Sequence, residues 1–163
     1  SKNIVFTEGF GIHKNPYFKH LPLEGTKGEL ITIYAPTLKL ESILKSSIFV
    51  IPMENDQYLV GSTYEWTDKT NTPTPEAKTE LLEKLSRLID CNFEVVNQRA
   101  GIRPTVVDRR PLVGQHPNHK RMYVLNGLGT RGVLVAPAMA EALYNSIEKN
   151  SPLPKEIDIL RFA

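Results

Sequence analysis

The sequence predicts an α+β fold, a mostly antiparallel mixed sheet with two main helices. Runs of β-branched and aromatic residues alternate with short polar turns, as antiparallel hairpins do. Only two stretches carry apolar residues at helical spacing, near residues 75–89 and 132–149. The second follows a strand directly, through a glycine-rich bend. Strands and helices segregated in this way argue against a regular βαβ alternation.

The elements follow in order. Asn3-Ile4-Val5-Phe6-Thr7 reads as a short strand stopped by Gly9-Phe10-Gly11. Residues 12–27 read as loop, broken by Pro16, Pro22 and Gly25. Glu29 to Tyr34 alternates and reads as a strand ended by Pro36, and Thr37 to Lys45 stays ambiguous. Ile48–Pro52 and Tyr58–Thr63 flank Glu54-Asn55-Asp56 and predict a hairpin. Trp66 to Thr74 reads as a polar loop. Thr74 then caps a helix with Pro75 at its first position, where a missing N–H costs nothing. Its apolar face is Ala77, Leu81, Leu82, Leu85, Leu88 and Ile89, and its wet face pairs Glu80 with Lys84 and Glu83 with Arg87.

Phe93 begins a strand that runs towards Gly101–Pro104, Pro111–Gly114 is a short strand or turn, and Met122–Asn126 is a buried strand. The last helix ends near Lys149, with Ala136, Met139, Ala140, Leu143 and Ile147 facing inward. The tail carries Pro152 and Pro154, then Ile157 to Phe162.

Composition bounds the function. Of the 163 residues, 40% are hydrophobic and 23% charged, which excludes a disordered or fibrous chain and allows a real core. Twenty basic against eighteen acidic side chains leave +2, so bulk charge argues for no nucleic-acid partner. No apolar run approaches the roughly 18 residues of a membrane helix, so no membrane partner is expected. Ser1-Lys2-Asn3-Ile4-Val5 has no signal-peptide shape. Cys91, the single cysteine, excludes an internal disulfide, reads as a small packed hydrophobe and fits a cytoplasmic setting. A start on Ser rather than Met is expected of a processed or deliberately cut chain.

Several residue patterns could carry chemistry. Gly127-x-Gly129-x-x-Gly132 has the spacing of a dinucleotide fingerprint, but that reading needs a following parallel strand and an acid about 20 positions on. Glu156 and Asp158 could supply the acid, and no strand can follow them. Two other readings stay open. One is a plain strand-to-helix turn. The other is a backbone cradle for a flat ligand, with the helix N-terminus offering N–H groups and positive potential.

Arg103 sits at the end of a strand expected to be largely buried. It calls for a carboxylate, either an Asp or Glu of the same fold or one brought by a ligand. Asp108-Arg109-Arg110-Pro111 reads as a solvated, locally paired turn. His116-x-x-His119 could be half a metal site, but its turn-forming context points to a surface loop, so no metal is expected. His13 and His20 carry no signal, and Tyr17-Phe18-Lys19-His20 is too short for a nucleic-acid platform.

The order of these motifs resembles the FAD-dependent amino-acid and amine oxidases, the superfamily of D-amino-acid oxidase, sarcosine oxidase and glycine oxidase, with glycine oxidase the nearest match. Ala100-Gly101-Ile102-Arg103-Pro104, Asp108, Pro111-Leu112-Val113-Gly114 and Asn126 to Pro137 carry it. Leu21-Pro22-Leu23, Thr26 to Leu30, Phe49-Val50-Ile51-Pro52 and Val60 to Thr63 support it by order and spacing.

The resemblance implies the substrate-side and C-terminal part of a two-domain flavoenzyme. Residues 1–26 would be a remnant of the flavin domain and a connector. Residues 27–115 would form the substrate-binding sheet with one helix, and 116–163 the C-terminal flavin-contacting strand, loop and helix. FAD is implied for the full-length protein and is expected to be absent from a fragment lacking the N-terminal GxGxxG. Arg103 matches the arginine that grips a substrate carboxylate. Leu128, Gly129, Thr130, Arg131, Gly132, Val133 and Leu134 match the loop under the isoalloxazine ring.

The family's substrate tyrosine stands here as Phe49, removing a hydroxyl, and Arg131 sits one place later than the family's loop arginine. The implied reaction is oxidation of a C–N bond in a small amine or amino acid by hydride transfer to flavin, and the implied partner is that substrate. The alternatives are a flavin domain acting on the side chain of a modified tRNA base, and a non-catalytic ligand-binding module.

Overall fold

The computed structural model describes residues 2–162. The chain divides into two compact units, one of residues 26–102 and one formed by residues 1–25 with 103–163. The boundaries fall at Gly25/Thr26 and Ile102/Arg103, so residues 103–115 group with the terminal unit rather than with the central sheet. The cause is strand pairing, because Leu112–His116 is hydrogen-bonded to the strand that follows it.

In the central unit, β2 (Thr26–Tyr34), β3 (Leu44–Lys45), β4 (Phe49–Pro52), β5 (Gln57–Gly61) and β6 (Glu94–Arg103) form a five-stranded sheet in the order β3-β4-β5-β2-β6. The predicted β4–β5 hairpin is present. Asn55 and Asp56 turn it with φ of 59° and 54°, a left-handed pair that these two residue types tolerate. Pairing runs Val50 to Val60 and Ile51 to Leu59 across the hairpin, and Leu30 to Gly61 through Tyr34 to Gln57 between β2 and β5.

α1 (Pro75–Leu85) starts on Thr74, whose side chain accepts the Ala77 N–H at 3.3 Å. It buries Ala77, Leu81 and Leu85, the two leucines in one cluster with Ile31, Ile33, Val50 and Val60. Burial of each aliphatic side chain contributes on the order of 2 kcal/mol. The helix stops three residues before Leu88, so Leu88 and Ile89 pack from a turn rather than from the helix, and Cys91 packs beside them. Glu80 and Lys84 pair at 2.6 Å, while Arg87 lies beyond the helix end and loses its spacing to Glu83.

Lys27 and Glu29 are a buried opposite-charge pair on the core side of β2, 3.5 Å apart. Lys27 Nζ also reaches Asp68 at 2.5 Å and the Thr72 carbonyl at 2.6 Å. Glu29 accepts the Thr74 N–H and hydroxyl at 2.9 Å each and the Gln98 amide at 2.8 Å. This network ties the 65–74 loop, the start of α1 and β6 to one strand. Burial works against the charge on Lys27, but Asp68 outweighs it and raises the lysine above its ordinary value. The hydrogen bond from Lys27 in turn lowers Asp68 to about 2.

The terminal unit holds a three-stranded sheet of β1 (Ile4–Phe6), β7 (Leu112–His116) and β8 (His119–Asn126), in the order β1-β8-β7. β1 runs parallel to β8, with Val5 opposite Tyr123, and β7 runs antiparallel to it. A 3-10 turn at Gly9–Lys14 falls within the stretch expected to be loop. Ile12, Phe18, Leu21 and Leu23 pack on one side of the sheet with Val106, Leu112, Val124 and Ile159. α2 (Gly132–Lys149) packs Leu143, Met139, Ala142 and Ile147 with Val113 and Tyr123. Ala140, expected inside, is exposed, and Ala142 takes its place. Among the described residues no strand follows α2, so the glycine bend does not open a dinucleotide-type βαβ unit.

Candidate active site

The terminal unit brings two separate pieces of sequence together. Arg103 ends β6 and leads into Pro104-Thr105-Val106. Thr105 O accepts the N–H groups of Glu24 at 2.8 Å and Gly25 at 3.2 Å, and the buried Val106 bridges Leu23. This clamp fixes the backbone just after the arginine. The Gly129 N–H then donates to the Pro104 carbonyl at 3.1 Å, so the glycine bend is bonded to the residue that follows Arg103.

The bend is built by its first residues. Asn126 is buried at the end of β8. Its Nδ2 donates to the Gly9 carbonyl at 2.9 Å, and its Oδ1 accepts the Gly127 N–H at 2.8 Å. Gly127 has φ of +70°, and a Cβ there would lie 2.4 Å from Val106 Cγ2, so both conformation and space require glycine. Gly129 also has positive φ, +57°, but a Cβ there would meet nothing within 4 Å. Gly127 is fixed by the protein around it; Gly129 fronts open space.

From Gly129 to Arg131 the chain makes a 3-10 turn and passes into α2 at Gly132. Neither helix start has a side-chain cap, and neither first turn carries an acid. The Gly129 and Arg131 N–H groups are used by the Pro104 and Leu128 carbonyls; the first turn of α2 itself has no side-chain cap, and the helix dipole gives that end positive potential. Val133 and Leu134 are 98% and 79% exposed, an apolar pair at the mouth of the same helix.

Arg103 is half-buried and engaged in the structure, and its Nη1 is a buried nitrogen that no hydrogen bond uses. Phe49 belongs to the central unit, half-buried at the start of β4 opposite Gly61. The expected loop residues 128–134 therefore gather with Arg103 in one unit, and Phe49 stands in the other. Asn126 was not singled out by the sequence, although a polar residue closing an apolar strand just before a glycine was its signal.

The Asp108 turn is paired locally, Asp108 accepting the Arg110 N–H at 2.9 Å, and also at long range, to Arg161 Nε at 2.8 Å from the tail. Burial opposes its charge, but Arg161 and the Arg110 N–H hold the carboxyl below its usual range. One expectation nearby is corrected. His116 is not on a surface loop: it ends β7 and is buried against Phe18, while His119 is exposed. Among the described residues, no group of three or more His, Cys, Asp or Glu could hold a metal, and no helix is long and apolar enough to cross a membrane.

On this α+β frame a glycine bend at a helix start without a side-chain cap is thus bonded to the residue after an arginine. Residues 2–145 match the family described as FAD dependent oxidoreductase, and the chain belongs to that family.

It is 26% identical over 144 residues to glycine oxidase of Bacillus subtilis (strain 168), covering 84% of this chain and 39% of that protein. It is 28% identical over 190 residues to the tRNA 5-methylaminomethyl-2-thiouridine biosynthesis bifunctional protein MnmC of Pseudoalteromonas atlantica, covering 96% of this chain and 27% of that one. The crystal structure of glycine oxidase from Geobacillus kaustophilus shares the fold, with a TM-score of 0.82, 21% identity, and coverage of 100% of this chain and 45% of that one. The chain thus spans well under half the length of these relatives.

Proposed function

We propose that this chain forms the substrate-side and C-terminal part of an FAD-dependent oxidoreductase that oxidises the C–N bond of a small amine or amino acid. The observation that carries the reading is the Gly129 to Pro104 hydrogen bond, because it sets the bend next to Arg103. The residues fit the cofactor: the α2 start has no side-chain cap and Gly129 fronts open space. Leu128 to Leu134 would hold the ring side of FAD, with the helix dipole favouring negative charge on it. When bound, FAD supplies the hydride acceptor.

Arg103 binds the substrate carboxylate in two parallel hydrogen bonds and orients the C–N bond. Val133 and Leu134 exclude water from the ring face. A second reading, action on the amine side chain of a modified tRNA base, is supported by the similarity to the MnmC protein over 96% of the chain.

Purified full-length protein should be yellow, with flavin absorbance; a colourless protein would favour a non-catalytic binding module. In the holoprotein, Arg103→Ala should raise KM for carboxylate-bearing amines by about tenfold or more while leaving flavin content intact. Unchanged kinetics would remove Arg103 from the site. A panel of free amines, amino acids and tRNA, read by product imine hydrolysis, separates the two substrate classes.

A further inference from the structure

Three histidines meet at the turn of the β7–β8 hairpin, at the other end from the glycine bend. His116 is 9% exposed and lies edge-on to Phe18 at 5.3 Å and to Tyr17 at 6.2 Å between ring centroids. The His119 ring is 4.7 Å from His116 and 5.2 Å from Tyr17, and the His20 ring is 6.3 Å from His116. His116 Nδ1 accepts the Asn118 N–H at 3.0 Å, and this bond closes the turn. It exists only while Nδ1 is unprotonated, because both nitrogens of an imidazolium are donors.

The surroundings do not welcome a positive charge. Lys19 adjoins His20, and Lys120 and Arg121 follow His119, all exposed. Residues 9–23 and 109–140 contain no Asp or Glu. Asp158 lines the same cavity of about 580 Å³ as His116, but its Oδ1 is committed to the Leu160 N–H at 2.9 Å. Tyr17 meets both His116 and His119 through its ring edge.

We propose that His116, set among His119 and His20, is a proton-driven latch, which closes the β7–β8 turn when neutral and releases it when protonated. Burial, then the neighbouring His119, push His116 below its ordinary value of 6.5; contact with the Tyr17 backbone works the other way, and His20 adds to the lowering. The sign follows. A folded value below the unfolded one means that the stabilisation is complete above the ordinary value, and is lost as pH falls towards and through the lowered one. Opening starts at the turn, because that is where the acceptor for the Asn118 N–H is lost.

Hydrogen exchange on the full chain at about pH 7.5 and about pH 5, corrected for intrinsic rates, tests this. Protection over β7 and β8 should fall about tenfold at the lower pH, while α1 keeps its own. His116→Asn retains an acceptor for the Asn118 N–H without a titrating ring, and should make the protection independent of pH. Should that variant not fold, the exposed double variant His20→Gln/His119→Gln is the readout. In it the His116 NMR titration should move up, and the acid loss of protection should shrink to about threefold or less. Equal protection at both pH values, or an unmoved His116 titration with an undiminished loss in the double variant, would overturn the latch.

Discussion

Asn126 Nδ2 donates to the carbonyl of Gly9 at 2.9 Å, across 117 residues of chain. One side chain therefore ties the first 3-10 turn to the end of the last strand, while its other atom starts the glycine bend. Asn126→Ala strands a buried Gly127 N–H and a partly buried Gly9 carbonyl, and should cost about 1–3 kcal/mol. Urea unfolding should show a lower midpoint at an unchanged slope. Asn126→Asp keeps the acceptor for Gly127 but turns a carboxylate towards the Gly9 carbonyl, and should also destabilise.

The glycines of the bend should part company under substitution. Gly127→Ala forces a Cβ to 2.4 Å from Val106 Cγ2 at positive φ, and should cost about 2 kcal/mol or more. At Gly132 a Cβ would meet Leu128 Cβ at an ordinary 3.6 Å, in helical backbone. Gly132→Ala should therefore leave stability unchanged or raise it by about 0.5–1 kcal/mol. If FAD lies where proposed, that same variant lowers the flavin content of the full-length protein. Thermal melts and the flavin-to-protein absorbance ratio read the two effects separately.

Glu29→Ala removes the acceptor shared by Thr74 and Gln98 and leaves Lys27 buried with only Asp68 and the Thr72 carbonyl as its named partners. The expected loss is about 3–5 kcal/mol, as for other broken buried ion pairs. Glu29→Gln keeps one of the two acceptor oxygens and should cost less, and chemical denaturation ranks the two.

The Lys27–Asp68 pair also sets two pH limbs. Asp68 is lowered from 3.8 to about 2, so its contribution is complete above 3.8 and lost as pH falls through about 2. Lys27 is raised above 10.5, so its share is complete below 10.5 and lost only as pH rises past the raised value. Trp66, the single tryptophan, sits in the loop that Asp68 anchors. Its fluorescence should change on the acid limb, and Asp68→Asn should abolish that change.

Legibility in the sequence tracked how local each cause was. Thr74-Pro75, the Asn55-Asp56 turn and the alternation of β2 were readable because capping, turn chemistry and strand period act within a few residues. Long-range partners were not: Asp108 finds Arg161, and Asn126 finds Gly9. Lys27 and Glu29 were within reach, since opposite charges two apart on the apolar side of a strand must satisfy each other when buried. At the bend, the glycine spacing left both a plain turn and a cradle open. The bond from Gly129 to Pro104 joins it to the residue that follows Arg103.

The division of the chain also dictates an order of assembly. Residues 26–102 are contiguous, whereas the other unit needs both flanks. On the ribosome, Ile4–Phe6 must wait, without its neighbour, until Met122–Val124 has been made. The inserted unit can mature during that interval and bring the two flanks near each other, shortening the loop that the late parallel pairing must close. A lesion in the central unit, such as loss of Glu29, would then slow acquisition of the β1-β8-β7 sheet, whose strands lie outside that unit.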